Sequence, residues 1–402
     1  MFFMGMACLF RVVLRGWGLT LAGPHLIIRV RFGESRWFMT VHIVHLETGM
    51  HVYGGARQVL YLQEHLPALG VKCTLVCAKG SEMAVRGREQ GANVVELPMS
   101  GDADVGFIFR FAALLKQLKP DLVHVHSRRG ADVWGGLGAK WAGVPAVLSR
   151  RVDNAEGRLA VAVKYPLYRH VVAVAQGVKD VLVSNGVAAE KITVVHSAIN
   201  PKLFQSPGSK EELARTFGLD ASAPIVGIAA QLIPRKGHVL LFDALKLIES
   251  THPKVQLIVF GRGPLSDVLP AEAAARGLGP DRVVFAGFRD DLNHWMGALD
   301  VLAHPAYTEG LANVCLQAAA AGVPSVGTRV GGIPEAICEN VTGLLVPVGD
   351  TQALAAALVR LLDDPVLRQL FGRAGPAYIE SDFTAPQMAA GNRAVYRRLL
   401  GR

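Results

Sequence analysis

His304–Pro324, HPAYTEGLANVCLQAAAAGVP, decides how this chain is read. A short apolar run, Val301-Leu302-Ala303, ends at Pro305 and reads as a strand. A small polar loop follows. Glu309-Gly310 then opens a helix expected from about Leu311 or Ala312 to Ala321, stopped by Gly322 and Pro324. The helix is almost entirely Ala, Leu, Val and Cys, so burial on most sides is expected. Its N-terminus presents free amides and partial positive charge, an anion site best suited to a diphosphate. Leu311, Ala312 and Asn313 would supply those amides, and Gly310 would let the backbone approach the ligand. Glu309 and Gln317, eight residues apart, would share nearly one face. A carboxylate beside a phosphate pocket suits sugar hydroxyls, and an amide both donates and accepts. Taken alone, the pair is better read as a capping Glu and a surface Gln.

The surroundings reverse that preference. EGLANVCLQAAAAGVPSVGTRVGGIPEAI, followed by TGLLVPVGD, resembles the retaining nucleotide-sugar glycosyltransferases of family 4. That family shows a Glu, seven residues, a second Glu, a helix of small residues, and a Gly-Gly-x-x-Glu turn, here Gly331 to Glu335. The resemblance runs from about Met39 to the C-terminus. It implies an α/β fold of two doubly wound, Rossmann-like parallel-sheet domains facing a cleft, the GT-B arrangement. One departure is plain: the second Glu, which contacts the nucleotide ribose in the family, is Gln317.

The length of 402 residues suffices for two domains with separate cores. A hydrophobic fraction of 51% against 19% charged excludes a largely disordered chain. The net charge of +9 points to anionic partners. The basic clusters are not interleaved with stacking aromatics, so anionic small molecules and a membrane surface are expected rather than nucleic acid. Five cysteines without a C-x-x-C pair indicate neither a zinc site nor a disulfide framework, and fit a reducing cytoplasm. Residues 1–38 are apolar and basic, with no uninterrupted run long enough to span a bilayer. They read as an upstream extension before Met39, an interfacial anchor or a targeting segment.

Residues 39–206 alternate strand and helix, the pattern of a parallel sheet covered on both faces. The first strand runs into a loop, ETGMHVYGGAR, which lacks G-x-G-x-x-G, so a dehydrogenase-type dinucleotide site is not supported. In the resembled family, the paired glycine, here Gly54-Gly55, lies where acceptor and donor phosphate meet. The strand Asp121-Leu-Val-His-Val-His126 delivers its last residue to the ligand-binding edge. The family's matching His lies near the transferred sugar, so His126 is the expected positioning and hydrogen-bonding residue, with His124 structural. Arg128, Arg129, Arg150 and Arg151 follow strand ends on that edge, where guanidinium pairs suit an anionic acceptor or, equally, solvated loops. The helix near 105–118 suits packing on its own sheet better than a membrane.

Residues 207–385 form the expected donor-binding domain, and 386–402 a helix returning to the first, with Arg397 and Arg398 near the interdomain surface. A strand leads into Gln231-Leu-Ile-Pro-Arg235-Lys236-Gly237, a basic loop suited to a diphosphate. Family members carry an Arg where this chain has Gln231; Lys236 matches, and Arg235 is placed to restore the charge. The turn Gly261-Arg-Gly-Pro264 resembles the family's loop beside the nucleotide. Asp290-Asp291 suits a helix start better than a metal, and no D-x-D ends a strand, so neither metal nor other cofactor is expected.

The reading is transfer of a sugar from a nucleotide diphosphate donor to an acceptor hydroxyl with retention, in lipopolysaccharide or other envelope glycan synthesis at the cytoplasmic face of a membrane. Glu309, His126 and Lys236 are the expected catalytic residues. A sugar-nucleotide epimerase of the same fold and an inactive sugar-nucleotide-binding protein are the alternatives.

Overall fold

In the computed structural model, residues 41–126, 130–154 and 156–402 are described. Residues 1–38, Arg128 and Arg129, which carry sequence-based expectations above, lie outside them.

Apolar runs separated by amphipathic helices produce two all-parallel sheets. The first holds β1 (Val41–Glu47), β2 (Val71–Ala78), β3 (Val94–Leu97), β4 (Leu122–Val125), β5 (Ala146–Arg150), β6 (His170–Ala173) and β7 (Ile192–Val194), in the order β3-β2-β1-β4-β5-β6-β7. The second holds β8 (Ile225–Ala229), β9 (Gln256–Phe260), β10 (Val283–Gly287), β11 (Val301–His304), β12 (Ser325–Thr328) and β13 (Gly343–Val346), in the order β10-β9-β8-β11-β12-β13. The order reverses between β1 and β4 in one sheet and between β8 and β11 in the other. Such switch points open a crevice at the carboxyl ends of the strands. The loops after β4, β8 and β11 carry His126, Gln231 and Glu309, and the helix after β1 starts at Gly54, so topology brings the expected residues to the carboxyl edges.

Helices cover both faces of each sheet, which is why the central strands are buried along their whole length. The last helix, Ala385–Leu400, starts at a capping box of Thr384 and Gln387. Its Met388, Ala389, Val395 and Tyr396 pack with Val41, Ile43, Leu122 and Val147 of the first sheet. Arg398 reaches His170 (2.8 Å) on β6 and Thr193 (3.0 Å) on the edge strand β7. The expectation of an interdomain Arg398 is therefore corrected: the helix carries it past the cleft, onto the first sheet. The two chain crossings run side by side, with Ile199 N–H donating to Phe383 O (2.9 Å) and Gln58 bonding both backbone groups of Ala198.

Candidate active site

The signature helix spans Asn313–Ala320, with Ala312 as its N-cap. This is shorter at its start than the sequence suggests. Asn313 N–H donates to Leu311 O (2.8 Å), a tight turn that uses one of the three expected anion-binding amides and keeps the helix from extending back. Glu309 therefore lies in the preceding loop and does not share a helical face with Gln317. The role expected of Gly310 also changes. A Cβ there would sit 2.0 Å from the Arg151 carbonyl of the first domain, so the missing side chain admits backbone from across the cleft.

Glu309 is the centre of a buried cluster. Its Oε2 accepts from the Lys236 ammonium and lies 2.8 Å from His304 Nε2, while its Oε1 accepts from Gly310 N–H at 3.1 Å. Burial alone would push this carboxyl up; the hydrogen bond and charge of His304, then Lys236, override it and hold Glu309 well below the usual range. Burial lowers His304 despite the opposing Glu309. Lys236 ends a short 3₁₀ turn, Pro234–Lys236. Arg235, beside it, donates to Thr308 O at 3.2 Å, tying the basic loop to the loop that carries Glu309.

At the ends of β8 and β9 opens a cavity of about 670 Å³, in the size range of small-molecule sites, with Lys236, Glu309 and His304 outside its lining. Gln231, Gly261 and Gln317 line it, together with Val314, Arg262 and Phe288. Tyr53 reaches its rim from the first domain and accepts from Arg262 Nη2 (3.3 Å). Arg262 also stacks 4.2 Å from the Phe288 ring centroid. A smaller cavity of about 190 Å³ continues past Gln317 and Asn313 to Gly54, Arg57 and Tyr61.

The first domain contributes His126, Arg151, Gly54 and Gly55. The Arg151 Cδ lies 3.4 Å from where a Cβ of Gly55 would sit, and the Asn313 amide 3.6 Å from one on Gly54. A guanidinium only donates, so Arg151 Nη2, 3.1 Å from His126 Nδ1, fixes that nitrogen as the acceptor. The His126 proton then sits on Nε2, directed at His45 Nδ1 at 3.0 Å. Burial first, then the neighbouring imidazoles and Arg151, lowers His126 well below its ordinary value, so this chain of rings is neutral. Arg151 is pushed down to about 10 by burial, opposed by Glu47, and stays charged. His126 thus orients Arg151 here, and both its ring nitrogens are engaged. His45, His124 and His126 bring ring nitrogens within 4.8 Å of one another. His124 is already bonded to Tyr396 (2.6 Å) and Ser149 (2.8 Å), and the adjacent guanidinium opposes a second cation.

Arg150 is a correction. Its side chain is buried and turned back on its own loop, donating to Asn154 O (2.6 Å) and to Glu156 (3.3 Å), so it staples that loop and does not face an acceptor. The sequence reading also missed His304, His45, Tyr53 and Asp153. His304, at the strand end five residues before Glu309, was the most findable. Asp153 gave no local signal, since its partner, Glu309 N–H at 2.8 Å, lies in the other domain.

With this geometry in view, comparison with known proteins is direct. A family model described as glycosyl transferases group 1 matches residues 223–364, and one described as Glycosyltransferase Family 4 matches residues 52–203. The chain belongs to the family 4 glycosyltransferases. This family 4 chain is 32% identical over 202 residues to a GDP-mannose-dependent monoacylated alpha-(1-6)-phosphatidylinositol monomannoside mannosyltransferase of Corynebacterium glutamicum, covering 47% of this chain and 51% of the relative. It is 32% identical over 215 residues to the lipopolysaccharide core biosynthesis mannosyltransferase LpsB of Rhizobium meliloti, covering 52% and 61%. The chain thus spans about half to three fifths of the length of these curated relatives. Among solved structures, HepE of Anabaena in complex with UDP and glucose shares the GT-B fold, with a TM-score of 0.76, 21% identity, and coverage of 90% of this chain and 100% of that one.

Proposed function

We propose that this family 4 chain transfers a sugar from a nucleotide diphosphate donor to a hydroxyl of a glycan or glycolipid, with retention at the anomeric carbon. The observation that carries the reading is the buried Lys236–Glu309–His304 cluster in the domain that also holds the Gln231, Gly261 and Gln317 cavity, with Arg151, bonded to His126, bringing its carbonyl against Gly310 from the first domain. Lys236, Arg235 and the Leu311 and Ala312 amides would neutralise the donor diphosphate without a divalent metal. Gln317 would bond the ribose, and Glu309 the sugar hydroxyls. Among the described residues we assign no side chain as a nucleophile, so the leaving phosphate would take the acceptor proton. UDP bound to the Anabaena neighbour and the GDP-mannose dependence named for the Corynebacterium relative support a nucleotide sugar as donor. The lipopolysaccharide core relative supports an envelope glycan as acceptor. No helix among the described residues is long and apolar enough to cross a membrane.

The test is thermal shift of the full chain with UDP-, GDP- and ADP-sugars without added metal. Bound ligand at a hundred times its Kd adds about 2.7 kcal/mol of stability, enough to see. A shift with one donor that disappears in Lys236→Ala, followed by metal-free transfer to a glycolipid acceptor, is expected. No shift with any donor overturns the reading.

A further inference from the structure

The loop after β5 is bonded to the first domain and meets the second around Glu309. Arg150 closes it by bonding Asn154 O and Glu156. Glu156 in turn accepts from the Lys164 ammonium and from Tyr165 Oη at 2.7 Å. From this stapled loop Asp153 Oδ2 accepts the Glu309 N–H at 2.8 Å, across the cleft. The backbone fits closely there: a Cβ on Gly310 would strike the Arg151 carbonyl, and one on Gly331 would lie 2.9 Å from Asp153 Oδ2. The Glu309 side chain is held within its own domain by Lys236 and His304, but its peptide N–H is held from the other.

We infer that Asp153 is a positioning residue for Glu309, so that approach of the first domain completes the orientation of the carboxylate facing the donor sugar. This rests on the glycosyl-transfer reading. When the domains part, the Glu309 N–H loses its acceptor, and the loop between Thr308 and the helix start at Asn313 keeps only contacts internal to the second domain. The peptide that carries the carboxylate is then fixed from both sides only while both domains are in place, which links turnover to closure.

The experiment compares Asp153→Ala with Asp153→Asn, whose side-chain carbonyl still accepts a hydrogen bond. Hydrogen exchange of the peptide containing Glu309, in the full chain, requires no turnover. Exchange at that amide is expected to rise tenfold or more in Asp153→Ala and to stay near wild type in Asp153→Asn. With the donor that wild type uses, Asp153→Ala is expected to lose at least tenfold in kcat while the Kd for the free nucleoside diphosphate stays within twofold, and Asp153→Asn to recover most of the loss. Unchanged amide exchange in Asp153→Ala, or an Asp153→Asn as impaired as Asp153→Ala, overturns the inference. If wild type transfers no sugar, the proposed function falls by itself, and the exchange comparison still decides whether Asp153 holds Glu309.

Discussion

At the scale of single residues, the site depends on two opposite charges buried against each other. The side chains of Lys236 and Glu309 are only 10% and 13% exposed, so removing Glu309 strips Lys236 of its partner carboxylate, and removing Lys236 leaves Glu309 with only His304 and the Gly310 amide. Lys236→Met or Glu309→Gln should each cost about 3–5 kcal/mol of stability, the range for breaking a buried pair. The double variant should lose less than the sum, because no uncompensated charge remains. Urea unfolding of the four proteins gives the coupling directly. Simple additivity would mean that His304 and the Gly310 amide already satisfy Glu309, and that Lys236 is free to meet a diphosphate without releasing a partner. Glu309, Lys236 and Gln317 were singled out through the family resemblance, since taken alone Glu309 and Gln317 read as a capping Glu and a surface Gln. Asp153 was not, because its meaning depends on a hydrogen bond 156 residues away.

At the scale of elements, the signature helix is located by another helix that the sequence conceals. Pro365–Asp382 contains Gly372, Gly375 and Pro376, residues that break a helical pattern when read along the chain. In the structure the two glycines form the crossing: a Cβ on Gly372 would lie 2.2 Å from Gly322 O, and one on Gly375 2.2 Å from Ala319 O. The helix Ala131–Trp141 escaped notice for the same reason, with Gly135, Gly136 and Gly138 against Leu46, Tyr168 and Phe111. Many strands and several helices were legible because apolar periodicity marks them, but β12, β13 and the helices Arg158–Lys164, Lys210–Phe217 and Leu269–Ala274 were not. Close helix crossings remove the very side chains that periodicity needs. In an open helix, Gly→Ala stabilises by about 1 kcal/mol. Here the opposing atoms are backbone and cannot yield, so Gly375→Ala should instead destabilise by about 1–3 kcal/mol, as overpacking does. It should also weaken donor binding by displacing Gln317 on the shared helix. A stabilised Gly375→Ala, read from its urea midpoint, would show that the crossing is looser than described.

At the scale of the whole molecule, the first sheet is built on neutral histidines, and this fixes how the protein responds to acid. His45 on β1 and His124 on β4 are register partners, and His126 follows directly. Burial, then the nearby His42, lowers His45 from 6.5 to about 3. Burial, then His45 and Arg151, takes His124 well below its ordinary value. Burial, then Arg398, lowers His170 to about 4, and burial, then His304 and Lys236, lowers His238 to about 4. In each case the unfolded chain takes up a proton near pH 6.5 and the folded chain does not. The stability they allow is therefore fully present above pH 6.5 and is lost as pH falls toward 4 and 3. Each fully buried histidine contributes up to about 1.4 kcal/mol per pH unit in that window, and half-buried His170 less. Glu156 and Glu335, both lowered from 4.5, add their loss only below that value. Asp153, which burial raises from 3.8, works in the opposite direction as a single group. Urea unfolding between pH 6.5 and 5 should thus show stability falling with a slope of at least about two protons, some 3 kcal/mol per pH unit, before most carboxylates titrate. A flat profile over that range would mean that water or a rearranged ring chain lets the His45, His124 and His126 cluster take up charge while folded, and would remove the basis for assigning the proton of His126 to Nε2.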